Sequence, residues 1–133
     1  MPPRLFTIAE AEDLLPRVVP ILEAIRDARQ VMARSEATLD KLLGPTRSNG
    51  HAVPRERVEA ERAATMRAMA ELRARTAELD ELGIELKDPD TGLIDFRSRR
   101  QGRIVYLCWR LGEERIAWWH ELDTGFAGRQ PLE

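Results

Sequence analysis

The first part of the chain carries apolar residues at helical spacing. Over residues 7–43 they recur three and four positions apart, which is typical of one buried stripe on an amphipathic helix. Thr7 and Glu10 have the spacing of a capping box, in which a hydroxyl and a carboxylate satisfy free N–H groups at the helix start. Pro16 and Pro20 interrupt the stripe. The pattern therefore predicts one long helix with a kink, or a break at which Pro16 opens a new helix.

A second helix is predicted after a stretch rich in turn formers. The segment "GPTRSNGHAVP", residues 44–54, indicates a loop, in which we expect His51 to be solvated. The helix over residues 55–82 has a narrow apolar stripe among alanines, formed by Val58, Met66, Met69, Leu72, Leu79 and Leu82. Two long helices with a short connection predict an antiparallel αα-hairpin of coiled-coil type. The hairpin needs a further layer, either the C-terminal region or a second copy of the chain.

The pattern changes from a helical period to a period of two after Gly83. Four segments then alternate apolar and polar residues between turn formers, namely residues 84–88, 93–96, 104–111 and 116–122. The predicted fold class is α+β, with a long antiparallel αα-hairpin (7–82) followed by a small antiparallel β-meander of three or four strands and an irregular tail (83–133). We expect all 133 residues to form a single domain.

The last two predicted strands concentrate the rare residues. They hold all three tryptophans, the tyrosine, the cysteine and one of two histidines. If Leu111 pairs with Ile116 across the turn, Cys108 faces Trp119, and His120 lies on the opposite face of the sheet from Cys108. A slip of one residue would bring Cys108 and His120 to the same face, so any site that uses both depends on this register.

Composition and charge narrow the function classes. With 21 basic and 23 acidic side chains the net charge is −2, which argues against binding to nucleic acid or to an anionic membrane. One cysteine cannot form an internal disulfide. Acidic residues near the N-terminus precede any long apolar run, so we expect neither a signal peptide nor a membrane span and interpret the protein as soluble and cytoplasmic.

A metal site and an anion site are the candidate chemistries. Zinc requires three or four nitrogen, sulfur or oxygen ligands, and the candidate divalent-metal set, which needs help from the tail, is Cys108, His120, Glu121 and Asp123. A basic cluster could hold a small anionic ligand by bidentate hydrogen bonds or be a solvated turn; it consists of Arg97, Arg99, Arg100 and Arg103. A cysteine nucleophile would need His120 as its base, but Cys108 is more typical of a buried small hydrophobe, so no catalytic residue is predicted.

Three stretches resemble a bacterial family catalogued as a domain of unknown function, DUF2203. They are "FTIAEAEDLLP", "GIELKDPDTGLIDF" and "GRIVYLCWRLGEERIAWWHELDTGFAGRQPL", and the resemblance is strongest from Gly83 onward. It implies no activity and no cofactor, so no catalytic residue is carried over. It directs attention to polar residues of the closing motif that have no evident role in the fold. Together with the cysteine they form the ligand-binding hypothesis, which comprises Arg103, Cys108, Glu113, His120, Glu121 and Arg129.

Two function classes follow. We favour a non-enzymatic helical module that self-associates or binds a partner helix through the hairpin, because the helices are long, charged and rich in alanine. The alternative is a small ligand- or metal-binding protein, whether or not an enzyme, with its site on the aromatic hairpin. The sequence assigns no substrate, cofactor or partner beyond these classes.

Overall fold

The computed structural model describes residues 3–44 and 54–133. Two helices, α1 (Ile8–Leu43) and α2 (Arg55–Leu82), pack against each other and precede a five-stranded antiparallel sheet. The predicted α+β class is confirmed. Nearly all of the predicted loop, including His51, lies outside the described residues. None of the helices in the described ranges has an apolar stretch long enough to cross a bilayer.

The start of α1 has the predicted capping box. The Thr7 hydroxyl accepts from the Glu10 N–H at 3.0 Å, and the Glu10 carboxylate accepts from the Thr7 N–H at 2.8 Å. The predicted break at Pro16 does not occur, because α1 is continuous through both Pro16 and Pro20. Both proline side chains are exposed, so the carbonyls that lose a helical partner face solvent and can bond to water.

The sheet is a meander in which each strand pairs with the next along the chain. Its strands are β1 (Ile84–Asp88), β2 (Leu93–Arg100), β3 (Arg103–Arg110), β4 (Trp118–His120) and β5 (Gln130–Pro131). Strand β2 runs four residues further than predicted, and the tail contributes a short 3₁₀ turn and the two-residue β5. Beyond the end of its pairing with β1, β2 is bonded to the N-terminal segment, since the Phe6 N–H donates to the Arg97 carbonyl at 2.7 Å.

The expected register of β3 and β4 is wrong by one residue. Cys108 pairs with Trp118, Leu107 with Trp119 and Tyr106 with His120. The physical reason is that Ile116 does not continue β4 toward the turn but is buried in the core, so the connection between β3 and β4 spans seven residues. The shift by one residue exchanges the two faces of β4 relative to β3.

The core lies between the helices and one face of the sheet. From β3 it receives Val105, Leu107 and Trp109, and from α1 and α2 it receives residues such as Leu22 and Leu79, all almost fully buried. These β3 residues alternate with Tyr106 and Cys108, whose side chains point to the other face of the sheet. The helices therefore cover one face, and the second face has to be covered by other parts of the chain.

The α2 stripe differs from the predicted one. Met66 is 70% exposed and Met69 is 39% exposed, so these two residues of the predicted apolar stripe are not buried, and their assignment to it is wrong. The positions that face inward on this part of α2 are Ala68, which is buried, and the half-buried Leu72. The small alanine side chain at the contact lets α1 and α2 approach, and the methionines are left on the outside.

Gly92 provides a test of the turn between β1 and β2. Its φ of +71° is in the left-handed region, and a Cβ atom there would lie 2.6 Å from the Cβ of Leu111. We expect Gly92→Ala to lower the free energy of unfolding by about 2 kcal/mol or more, from backbone strain and overpacking together. Gly102 has a φ of +80° with open space around it, so Gly102→Ala should cost only the backbone part, about 1 kcal/mol. Urea unfolding of both variants checks this, and equal losses would contradict it.

Candidate functional site

The observed register brings three ionisable side chains together on the face of the sheet that the helices do not cover. Asp95 lies on β2 directly opposite Cys108 on β3, and His120 lies on β4 two pairs along, opposite Tyr106. Their exposed fractions are 2%, 0% and 2%. We call these three residues the buried polar cluster. One ligand atom from each side chain lies within 4.8 Å of the other two.

His120 is held at both ring nitrogens. Nδ1 lies 2.7 Å from the backbone carbonyl oxygen of Glu121, and Nε2 lies 3.0 and 3.1 Å from the two carboxylate oxygens of Asp95. A carbonyl oxygen can only accept, so Nδ1 must carry a proton. Nε2 then either donates its own proton to Asp95 or accepts one from a protonated carboxyl group. In both states one proton is held between Nε2 and Asp95.

Burial raises the pKa values of Asp95 and Cys108, the other two members of the buried polar cluster. Removal from water raises the pKa of Asp95, because the charged carboxylate loses its hydration. Burial, and secondly the neighbouring Asp95 charge, raise the pKa of the Cys108 thiol to about 12. Cys108 is therefore a neutral thiol at neutral pH, and His120 has no free ring nitrogen with which to deprotonate it. This arrangement does not activate a cysteine nucleophile.

Two ion pairs flank the cluster and involve most of the predicted ligand-binding residues. Arg103 on β3 donates to the Glu121 carboxylate at 3.2 and 2.5 Å, and this pair is exposed. Arg129 in the tail donates to Glu113 at 2.7 Å and also to the Cys108 carbonyl at 3.4 Å. An anionic ligand would have to compete with a carboxylate already bound to either arginine.

The tail closes over this face of the sheet. The guanidinium of Arg129 lies 5.1 Å from the Trp118 ring centroid and 4.7 Å from that of Phe126. Cation–π contacts of this kind favour a fixed position for the tail. An organic substrate would need a large opening to reach the buried polar cluster, whereas a metal ion would need a narrow entry path and the release of protons from its ligands.

The structure brings together only two of the four predicted metal ligands. Cys108 and His120 come together, while the Glu121 carboxylate turns to Arg103 and Asp123 lies in the exposed part of the tail. Asp95 stands beside the first two and was missing from the predicted set. The signal that could have found it is its position in "LIDF", where a single carboxylate interrupts a short apolar strand.

A second surface of interest lies between the helices. A groove of about 480 Å³ runs along α1 and α2, and four alanines contribute to its walls: Ala24, Ala28, Ala64 and Ala68. Val31, also in the groove, is nine residues from Leu22 of the core, which is about half a turn around α1 at about 100° per residue. The groove therefore opens on the side of the hairpin turned away from the sheet. We call it the alanine groove.

The chain belongs to the family of uncharacterised conserved proteins DUF2203, whose model matches residues 4–132. The match covers nearly the whole described structure, including both helices and all five strands. Comparison with curated proteins and with solved structures gave no significant match. The family carries no assigned activity, so the function has to be argued from the structure itself.

The buried Asp95–His120 contact and the exposed Arg103–Glu121 ion pair should differ strongly in their contribution to the free energy of unfolding. His120→Ala leaves Asp95 buried without its partner, and we expect the free energy of unfolding to fall by about 3–5 kcal/mol. Arg103→Ala breaks the exposed pair with Glu121 and should cost less than about 1 kcal/mol. Denaturant unfolding of the two variants measures both. Similar losses would mean that the Asp95–His120 contact is not a buried pair.

The Cys108 thiol should be inert in the folded protein. A pKa of about 12 instead of 9.0 lowers the thiolate fraction at neutral pH about a thousandfold, and burial blocks access as well. We expect alkylation by iodoacetamide, followed by mass spectrometry, to be at least about a thousandfold slower in buffer than in concentrated urea. Comparable rates under the two conditions would contradict the buried, neutral thiol.

Proposed function

We propose that this protein is a non-enzymatic helical interaction module that self-associates through the alanine groove of its hairpin. The groove is the observation that carries the proposal. Its small side chains leave room for another helix to approach closely, and it opens away from the sheet, so a partner would not disturb the core. We propose that the groove binds a second copy of this chain.

The charges along the groove support pairing with an identical copy. Asp27 and Glu71 line it together with Arg67, so the same surface carries both signs. In a twofold dimer both copies use the same surface, so a residue of one copy contacts a different residue of the other copy. A surface that carries both positive and negative charges can therefore be complementary to itself. An antiparallel arrangement can set Arg67 of one copy near Asp27 of the other.

The hairpin is long enough for an interface that extends beyond the groove. The 28 residues of α2 extend about 42 Å at 1.5 Å per residue, and two helices side by side are about 20 Å wide. The groove itself occupies only residues 24–31 of α1 and 64–71 of α2, and an interface that extends along the whole hairpin face would cover about 800 Å², the area per partner of a standard protein interface.

A cytoplasmic location accompanies this proposal. The single cysteine is buried and unpaired, so stability does not depend on an oxidising compartment. Fractionation of cells that express the native protein would test the location. Recovery in a secreted or membrane fraction would count against it.

Charge reversal tests the self-association directly. Arg67 and Asp27 are exposed, so Arg67→Glu should leave the fold intact while it weakens the dimer by at least about tenfold in dissociation constant. The double variant Asp27→Arg with Arg67→Glu should restore binding, because the signs are exchanged on both sides. Analytical ultracentrifugation over a range of concentrations reports the dissociation constants.

Arg73→Glu is the matched control. Arg73 is also exposed on α2, but it lies nine residues from Ala64 and so on the opposite side of the helix from the groove. This variant should dimerise like the wild type. A wild-type protein that remains monomeric at high micromolar concentration, or a dimer insensitive to Arg67→Glu, would overturn the proposal.

A further inference from the structure

The buried polar cluster combines three different donor types. An imidazole nitrogen, a thiol sulfur and a carboxylate oxygen come from three adjacent strands and lie within 4.8 Å of one another. Tetrahedral zinc has bonds of about 2.0–2.3 Å, which sets its ligand atoms about 3.5 Å apart. Nε2 of His120 and the Asp95 oxygens, at 3.0 and 3.1 Å, already approach this spacing. Small side-chain adjustments would bring all three donors onto one centre.

The orientation of His120 matches that of a metal ligand. Histidines that bind a metal through one ring nitrogen usually donate the other N–H to a carbonyl or carboxylate group. Here Nδ1 donates to the Glu121 carbonyl at 2.7 Å, so Nε2 is fixed as the atom that faces Asp95. The ligand atom of His120 is thus directed to the cluster before any ion arrives.

We propose that Asp95, Cys108 and His120 form a binding site for one Zn²⁺ ion. Sulfur and imidazole donors select zinc or a related transition metal, whereas Mg²⁺ and Ca²⁺ prefer shells of six or more oxygens. Three protein ligands leave the fourth tetrahedral position to a small molecule such as water. This site lies on the outer face of the sheet and does not depend on self-association through the alanine groove.

Charge balance supports a divalent cation at this position. Binding releases the thiol proton of Cys108 and the proton held between His120 and Asp95, so that thiolate, carboxylate and Zn²⁺ sum to zero. A neutral assembly avoids the large cost of an uncompensated buried charge. The positive charge of Arg129, which contacts the Cys108 carbonyl, is already balanced by Glu113 at 2.7 Å.

Cobalt titration of the full chain tests the site. Co²⁺ replaces Zn²⁺ in such sites, and thiolate-bound Co²⁺ has a charge-transfer band in the near ultraviolet. The chain has one cysteine, so this band can only report Cys108. We expect the metal-free protein to bind one equivalent of Co²⁺ with this band, and added Zn²⁺ to abolish the band by displacement.

Variants decide between this site and adventitious binding. We expect Zn²⁺ binding to be at least about 100-fold weaker in each of three variants, Cys108→Ser, Asp95→Asn and His120→Gln. Loss of a group that only hydrogen-bonds to a metal ligand costs up to about 100-fold in affinity, and loss of a ligand itself should cost no less. Isothermal titration calorimetry measures these affinities. His51→Gln removes the other histidine of the chain and should bind like the wild type. Circular dichroism melting establishes which variants are folded.

Three outcomes would overturn the proposal. The first is Co²⁺ binding without the charge-transfer band, and the second is no binding of Co²⁺ or Zn²⁺ up to millimolar concentration. The third is a folded Cys108→Ser variant that binds Zn²⁺ with wild-type affinity. Because the serine substitution removes only the thiol and keeps the size of the side chain, it decides the question even if His120→Gln does not fold.

Discussion

The pairing of Leu107 with Trp119 determines the arrangement of both faces of the sheet. Both side chains belong to the core, and burial of a large aromatic ring stabilises this register far more than any single polar contact does. Since side chains alternate along a strand, the same pairing directs Cys108 and His120 to the outer face together. A hydrophobic contact thus brings the polar groups into one cluster.

The outer face of the sheet shows how buried ionisable groups are accommodated without helices above them. His120 spans β3 to reach Asp95, and its second nitrogen is satisfied by the Glu121 carbonyl. The Arg129 guanidinium, stacked on Trp118, fastens the tail over the same face. Nearly complete hydrogen bonding allows these groups to be buried, because an unpaired one would cost several kcal/mol. The same closure leaves an ion as the ligand that this face suits best.

The hairpin and the sheet therefore offer different chemistry. The hairpin presents an open, alanine-lined groove with charges of both signs, which suits a second helical surface. The sheet holds a closed cluster of three donor types, which suits a metal ion. The two proposals use residues that do not overlap, so either can hold without the other. In the DUF2203 family, where no activity is assigned, they give two separate properties to measure.

The sequence by itself determined the local structure. The capping box at Thr7, the two helices, Gly83 as the helix end and the alternating strands follow from short-range chemistry, and the structure has each of them. The β3–β4 register, the exposure of Met66 and the membership of Asp95 in the buried polar cluster were decided only in the tertiary structure. These three features depend on which residues, distant from one another in the sequence, are buried together in the core. Alternation along a strand fixes which residues share a face but not which partner they meet, and burial of Ile116 and Trp119 settled that choice.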